Sequence, residues 1–238
     1  KTMDIVRYSC LENVHEKREI VLLKAFPCRW GRCSFCDYIH DNSEDELAMN
    51  ATNREVIGKI TGRYGVLQVI NSGSCFEIPQ ASLQLVKATV DRLQIRKLYL
   101  EAWWGYRYRL DEMHELFGIP LVFITGVETF DEHFRNNVLK KGFEYNSVAE
   151  IRRFFQSVCL MIGIKGQTRE MIAKDIKILL DNFEYGTINL YVNNTTGIEA
   201  DTELQDWFKS EYAWLSERKG IDVLWKNTDF GVGAPATV

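Results

Sequence analysis

The chain has 238 residues, 46% of them hydrophobic and 26% charged, with four prolines and a formal net charge of −4. That is apolar enough for one well-buried core, which excludes a disordered chain, while no uninterrupted apolar run is long enough for a membrane helix. The longest basic runs are only Arg152-Arg153 and Lys140-Lys141, so phosphate-driven nucleic-acid binding is disfavoured and a small-molecule partner is expected.

Strand-like and helix-like segments alternate along the chain. Residues 20–26, IVLLKAF, form a short apolar run of the kind that makes a buried parallel strand. A cysteine loop follows, and the next helix is predicted over 53–62. Residues 66–71 read as the second strand. Pro79 suits a first helical turn, and Leu83, Val86, Val90 and Leu93 fall at helical spacing over 80–93. A third strand over 97–102 precedes a helix over 110–117 that Gly118 can end. Strand 120–126 leads to a helix over 131–141 closed by Gly142. An extra helix over 147–155 opens on a Ser147/Glu150 capping box. Strand 158–164, a helix over 168–183 capped by Thr168, a sixth strand over 187–192, a long amphipathic helix over 201–217 and a further strand over 221–225 complete the pattern. Six βα units with short connections imply right-handed crossovers and a parallel sheet, either a barrel, complete or partial, or an open doubly wound sheet. No linker divides it, so a single domain over 1–238 is expected, with its core at about 20–226 and function at the C-terminal ends of the strands.

The first 19 residues carry no signal-peptide core, so the expectation is a cytoplasmic protein with reduced thiols. The sequons at Asn50 and Asn194 then read as chance matches. Six cysteines in such a compartment point to metal or catalysis rather than to disulfides. Cys28, Cys33 and Cys36 make a C-x4-C-x2-C arrangement directly after the first strand. Three thiolates on a short loop can hold three irons of a cubane and leave the fourth iron open. Two other readings stand beside it. A structural zinc site would use the same thiolates with Cys10, His15 or His40, although only one C-x2-C pair is present. The third reading is three unrelated cysteines.

The loop FPCRWGRCSFCDY, after the first strand of a βα repeat and with an aromatic before its last cysteine, resembles the radical S-adenosylmethionine (SAM) superfamily. The commonest spacing there is C-x3-C-x2-C, one residue shorter. The resemblance implies a partial parallel (β/α)6 TIM-like barrel, a [4Fe–4S] cluster on Cys28, Cys33 and Cys36, and SAM on the open iron. It also implies an external electron donor such as flavodoxin or ferredoxin. Carried over residue by residue, Phe35 and Tyr38 lie near the adenine, and Gly73 and Ser74 face the methionine amino group. Glu128, in Gly126-Val127-Glu128-Thr129, lies near the ribose, and Gly163 and Ile164 bracket the base. Read from the residues alone, Glu128 also suits a position just before a helix, where negative charge is favourable. If Glu128 serves the cofactor alone, Glu128→Gln lowers cofactor affinity and leaves the melting temperature almost unchanged.

Within the superfamily the short chain resembles the queuine lyases of queuosine salvage, which release 7-aminomethyl-7-deazaguanine. That likeness implies a 7-deazaguanine base as substrate. Glu101 at a strand end, Trp103 and Trp104 behind it, Asn193 after the sixth strand and Asp229 near the C-terminus are the candidate substrate residues. A carboxylate such as Glu101 or Asp229 can accept from adjacent donors of a guanine-like edge. Tryptophans this dense also suit a packed core. Another radical enzyme acting on RNA, a zinc-stabilised barrel and a cluster protein that only carries electrons remain alternatives at this point.

Overall fold

The computed structural model describes residues 5–226. Two compact units make up these residues, one of 5–31 with 38–122 and the other of 32–37 with 123–226.

In the first unit, β2 (Arg18–Leu23), β3 (Val66–Asn71) and β4 (Lys97–Glu101) pair in parallel and in chain order. β2 and β3 are buried along their whole length, as expected of parallel strands covered on both faces. Their connections carry α1 (Glu46–Ile57) and α2 (Gln80–Arg92), and α3 (Leu110–Phe117) follows β4 and ends at Gly118 in the left-handed conformation. An antiparallel edge strand, β1 (Tyr8–Leu11), precedes them, and four residues give too little alternation to announce it. The starts of the strands are polar and closed. Arg18 donates to Gln68 Oε1 (2.8 Å) and lies over the Tyr99 ring, while Glu19 accepts from Tyr8, Thr61 and Gly62. Such fully paired buried charges hold one end of the sheet together.

In the second unit, β5 (Leu121–Glu128), β6 (Ser157–Ile162), β7 (Tyr185–Leu190) and β8 (Ile221–Leu224) are again parallel and in chain order. α4 (Val148–Phe154), α5 (Arg169–Asn182) and α6 (Thr202–Glu211) begin at caps on Ser147, Thr168 and Asp201, whose side chains accept backbone N–H groups. β6 and β7 alternate: Val158, Leu160, Ile162, Ile188 and Leu190 are buried on one face, and Cys159, Met161, Thr187 and Asn189 are half-buried on the other.

Three helices differ from expectation. α1 starts at Glu46 because Asp45 caps it, accepting from Ala48 N–H (3.0 Å). The predicted helix over 131–141 is instead a short π-helical turn, Phe134–Val138. Buried Arg135 donates to the carbonyls of Thr129 (3.1 Å) and Phe143 (2.8 Å), and those bonds draw the chain around its guanidinium. The long helix over 201–217 stops at Tyr212, which stacks on Phe208, and resumes as a 3-10 turn, Ala213–Glu217. No helix among the described residues is long and apolar enough to cross a membrane.

Candidate active site

In the first unit, Cys28 follows β2 and meets the turn after β3. A methyl group on Gly73 would lie 3.3 Å from Cys28 Cβ and 2.7 Å from Glu77 Oε2, so a side chain there is excluded by close approach. Glu77 links the two segments. Its carboxylate accepts from the N–H of Arg29 (3.1 Å), from the N–H of Ser74 and from the Tyr106 hydroxyl (2.8 Å), and its carbonyl accepts from Phe26 N–H. Burial pushes the Glu77 carboxyl above the usual range, against those donors. Ser74 Oγ accepts from Trp103 N–H (2.8 Å). Trp103 stacks on Trp30 of the cysteine loop, with ring centroids 5.2 Å apart. Trp104 is buried beneath the Arg107 guanidinium, and Glu101 is the half-buried last residue of β4. Tyr38 is exposed at the start of a 3-10 turn, Tyr38–Asp41.

Cys10 and His15 lie at the other end of β2. Cys10 is in register with Glu19 near the strand start and takes the Tyr8 hydroxyl at 3.7 Å, and His15 meets Tyr99 OH at 3.3 Å. Neither approaches the segment that carries Cys28, so the zinc reading loses two of its three candidate fourth ligands.

In the second unit, Cys33 and Cys36 pack with Phe35 against Phe134, Leu139, Ile164 and Tyr191. Two segments clasp this half of the loop. Ser34 donates from its N–H to Leu139 O (3.0 Å) and from Oγ to Val138 O (2.7 Å). After β7, Asn194 Nδ2 donates to Phe35 O (2.7 Å), and Thr195 donates twice to Asp37 Oδ2.

β5 breaks register between Gly126 and Glu128, and Glu128 takes a left-handed φ of +67°. This conformation is costly for a residue with a Cβ and gathers at functional sites. The bulge turns the Glu128 carboxylate toward Lys141, whose Nζ lies 2.7 Å from Oε1, with side chains 6% and 14% exposed. Burial alone would lower the Lys141 pKa. The Glu128 carboxylate and the Cys33 and Cys36 thiols outweigh it and hold the ammonium above the usual lysine range. Lys141 also lies over the Phe35 ring, 5.4 Å from its centroid. Gly126 leaves room for the pair, since a methyl there would sit 2.8 Å from Lys141 Nζ. The other oxygen, Glu128 Oε2, is buried with no hydrogen-bond partner.

The N–H groups of Gly163 and Ile164 both donate to Gln167 Oε1, at 2.8 and 3.0 Å, while the Ile164 side chain packs with Phe35. Asn193 is exposed, and its Oδ1 closes its own loop on Ala200 N–H (2.7 Å). Asp229 lies outside the described residues.

Local sequence patterns do not mark Glu77, in the turn after β3, or Lys141, in a short basic run, and Asn194 reads from sequence only as part of a chance sequon. Each acts through a partner distant in sequence, and no local motif marks such a partner.

Among the described residues no three His, Cys, Asp or Glu side chains converge as on one ion. A cubane distributes its thiolates over separate irons. The orphaned buried Glu128 oxygen is a feature that a polar cofactor on the Cys33 and Cys36 side of the loop would use, so the residues present fit a cluster with SAM.

No protein-family model and no curated protein matches the chain. Among solved structures, a queuine lyase from Clostridium spiroforme, bound to SAM and queuine, superimposes with a TM-score of 0.94. The two sequences are 48% identical, over 97% of this chain and 100% of that one. With the cysteine loop after the first parallel strand, this likeness defines the class: a radical SAM enzyme with the α/β partial parallel barrel of that superfamily. Identity at this level over the full length of the other chain goes further. The chain belongs to the queuine lyase family.

Proposed function

We propose that this protein cleaves queuine and releases 7-aminomethyl-7-deazaguanine, with a [4Fe–4S] cluster on Cys28, Cys33 and Cys36 and with SAM as cofactor. The observation that carries the reading is 48% identity along the whole length of a queuine lyase solved with SAM and queuine. When bound on Cys28, Cys33 and Cys36, the cluster with SAM would supply one-electron radical chemistry for hydrogen abstraction. The chain's own residues bind, orient and exclude water. Glu77 fixes the Cys28 segment, and the Ser34, Phe35 and Asp37 contacts fix that of Cys33 and Cys36. Glu128 Oε2 accepts from ribose hydroxyls, and Lys141 keeps the other oxygen in place. Phe35, Tyr38, Gly73, Ser74, Gly163 and Ile164 complete the cofactor side, Ile164 through its side chain because Gln167 takes the N–H groups of Gly163 and Ile164. Glu101, Trp103, Trp104, Asn193 and Asp229 are the residues proposed for the substrate side. The chain acts as one domain in the cytoplasm and receives its electron from a flavodoxin or ferredoxin.

Under anaerobic conditions, with dithionite, SAM and queuine, 5′-deoxyadenosine and 7-aminomethyl-7-deazaguanine should form together. The reconstituted protein should hold about four irons. Cys28→Ala, Cys33→Ala and Cys36→Ala should each abolish the cluster absorbance, and Cys10→Ala, Cys75→Ala and Cys159→Ala should leave it intact. Queuine that neither binds nor raises 5′-deoxyadenosine above the uncoupled background would refute the lyase reading.

A further inference from the structure

β6 and β7 carry one face turned toward α5 and one turned away from it. A methyl on Gly186 would touch Leu179 of α5 at 2.5 Å, which places the face of Gly186, Ile188 and Leu190 against that helix. Side chains alternate along a strand, and in-register residues of neighbouring strands share a face. The face turned away from α5 is therefore half-buried Cys159 and Met161 on β6 with Thr187 and Asn189 on β7, and β8 adds buried Asp222 in register with Thr187.

This face belongs to the site. Met161, in register with Asn189, packs against the apolar cluster of Phe35, Phe134, Leu139, Ile164 and Tyr191, as Cys33 and Cys36 also do. Asn189 is one residue from the C-terminal end of β7, where parallel βα folds place their ligands. Its amide is held in one orientation, with Nδ2 donating to Cys159 Sγ at 2.8 Å. Its carbonyl oxygen is buried with no hydrogen-bond partner. A buried acceptor left without a donor is costly unless a ligand completes it. Apolar residues would fill this position at lower cost, as Leu190 and Ile188 do on the covered face.

We infer that Asn189 is the residue that reads the substrate base, its Oδ1 accepting a hydrogen bond from an N–H of the heterocycle. The inference rests on the queuine reading above. A 7-deazaguanine offers ring N–H and exocyclic amino donors on one edge, and an amide oxygen accepts from either. Cys159 is then a positioning residue that fixes the amide through its sulfur, with Met161 setting the distance to the cysteine loop.

The test measures queuine and SAM affinities of the reconstituted enzyme by anaerobic calorimetry. Asn189→Ala should weaken queuine binding at least tenfold and leave SAM affinity and cluster absorbance unchanged. Asn189→Asp keeps an acceptor at the same place and should hold queuine within about threefold of wild type. Asn189→Leu, close in shape, repeats the test if the alanine variant folds poorly. Queuine binding undiminished in Asn189→Ala or Asn189→Leu overturns the assignment, as does an equal loss of SAM affinity. Wild-type enzyme that binds no queuine overturns the lyase reading itself, and this inference with it.

Discussion

Glu128→Gln tests the site and the fold together. If Glu128 serves the cofactor alone, the substitution leaves the melting temperature almost unchanged. The structure reverses that expectation. Glu128 and Lys141 form a buried pair at 2.7 Å, and a neutral amide leaves the Lys141 ammonium without its counter-charge. Breaking one side of a buried pair costs about 3–5 kcal/mol. The amide oxygen can still accept from Lys141, which sets the lower end, about 3 kcal/mol. For a chain of this length that is a drop of roughly 6–12 °C in melting temperature. SAM affinity should fall as well, by roughly ten- to a hundredfold, because the charge-assisted acceptor at Oε2 is gone. The double variant Glu128→Gln/Lys141→Met separates the two effects. Removing the uncompensated cation should restore at least half of the lost stability without restoring SAM affinity. Thermal melts of the cluster-free protein and anaerobic SAM titrations measure both. A Glu128→Gln variant that melts within about 2 °C of wild type would refute the argument from the ion pair.

Two further outcomes follow from buried carboxylates. Burial raises the Asp175 pKa to about 6, against bonds from Thr129 and Phe130 N–H. A carboxyl with a raised folded-state pKa gives stability that is fully present below its unfolded value and lost as pH rises through the folded one. Native protein should therefore lose about 3 kcal/mol between about pH 4 and 7 through this group. Asp175→Asn should flatten that segment of the stability profile and melt higher than wild type at pH 8, and an unchanged profile would count against it. Glu77→Gln keeps one acceptor for the N–H groups of Arg29 and Ser74 and the Tyr106 hydroxyl, so at least one donor is unpaired at a cost of about 1–3 kcal/mol. Its cluster should be stripped faster by an iron chelator than that of wild type, and equal stripping rates would show that Glu77 does not secure the Cys28 segment.

What the sequence reveals here depends on how local the signal is. β3 over Val66–Asn71 and α3 over Leu110–Phe117 lie where periodicity and the stop at Gly118 put them, since hydrophobic runs and cap chemistry act over a few residues. The cysteine loop is equally legible, because one short segment carries all three thiols. The π-helical turn at Phe134–Val138 was hidden, because its cause is a buried guanidinium reaching carbonyls at Thr129 and Phe143. The same distinction separates the two asparagines near the end of β7. Asn193 follows a predicted strand and looks like a ligand-facing loop residue, yet its side chain closes a loop on Ala200. Asn189 looks like a polar interruption of an apolar strand, and its meaning depends on the partners β6 supplies, Met161 in register and Cys159 beneath the amide. A polar residue inside a strand costs stability on a covered face and serves a ligand on an uncovered one. The sequence carries the residue, and strand pairing with the helix over Gly186 decides which face it is on.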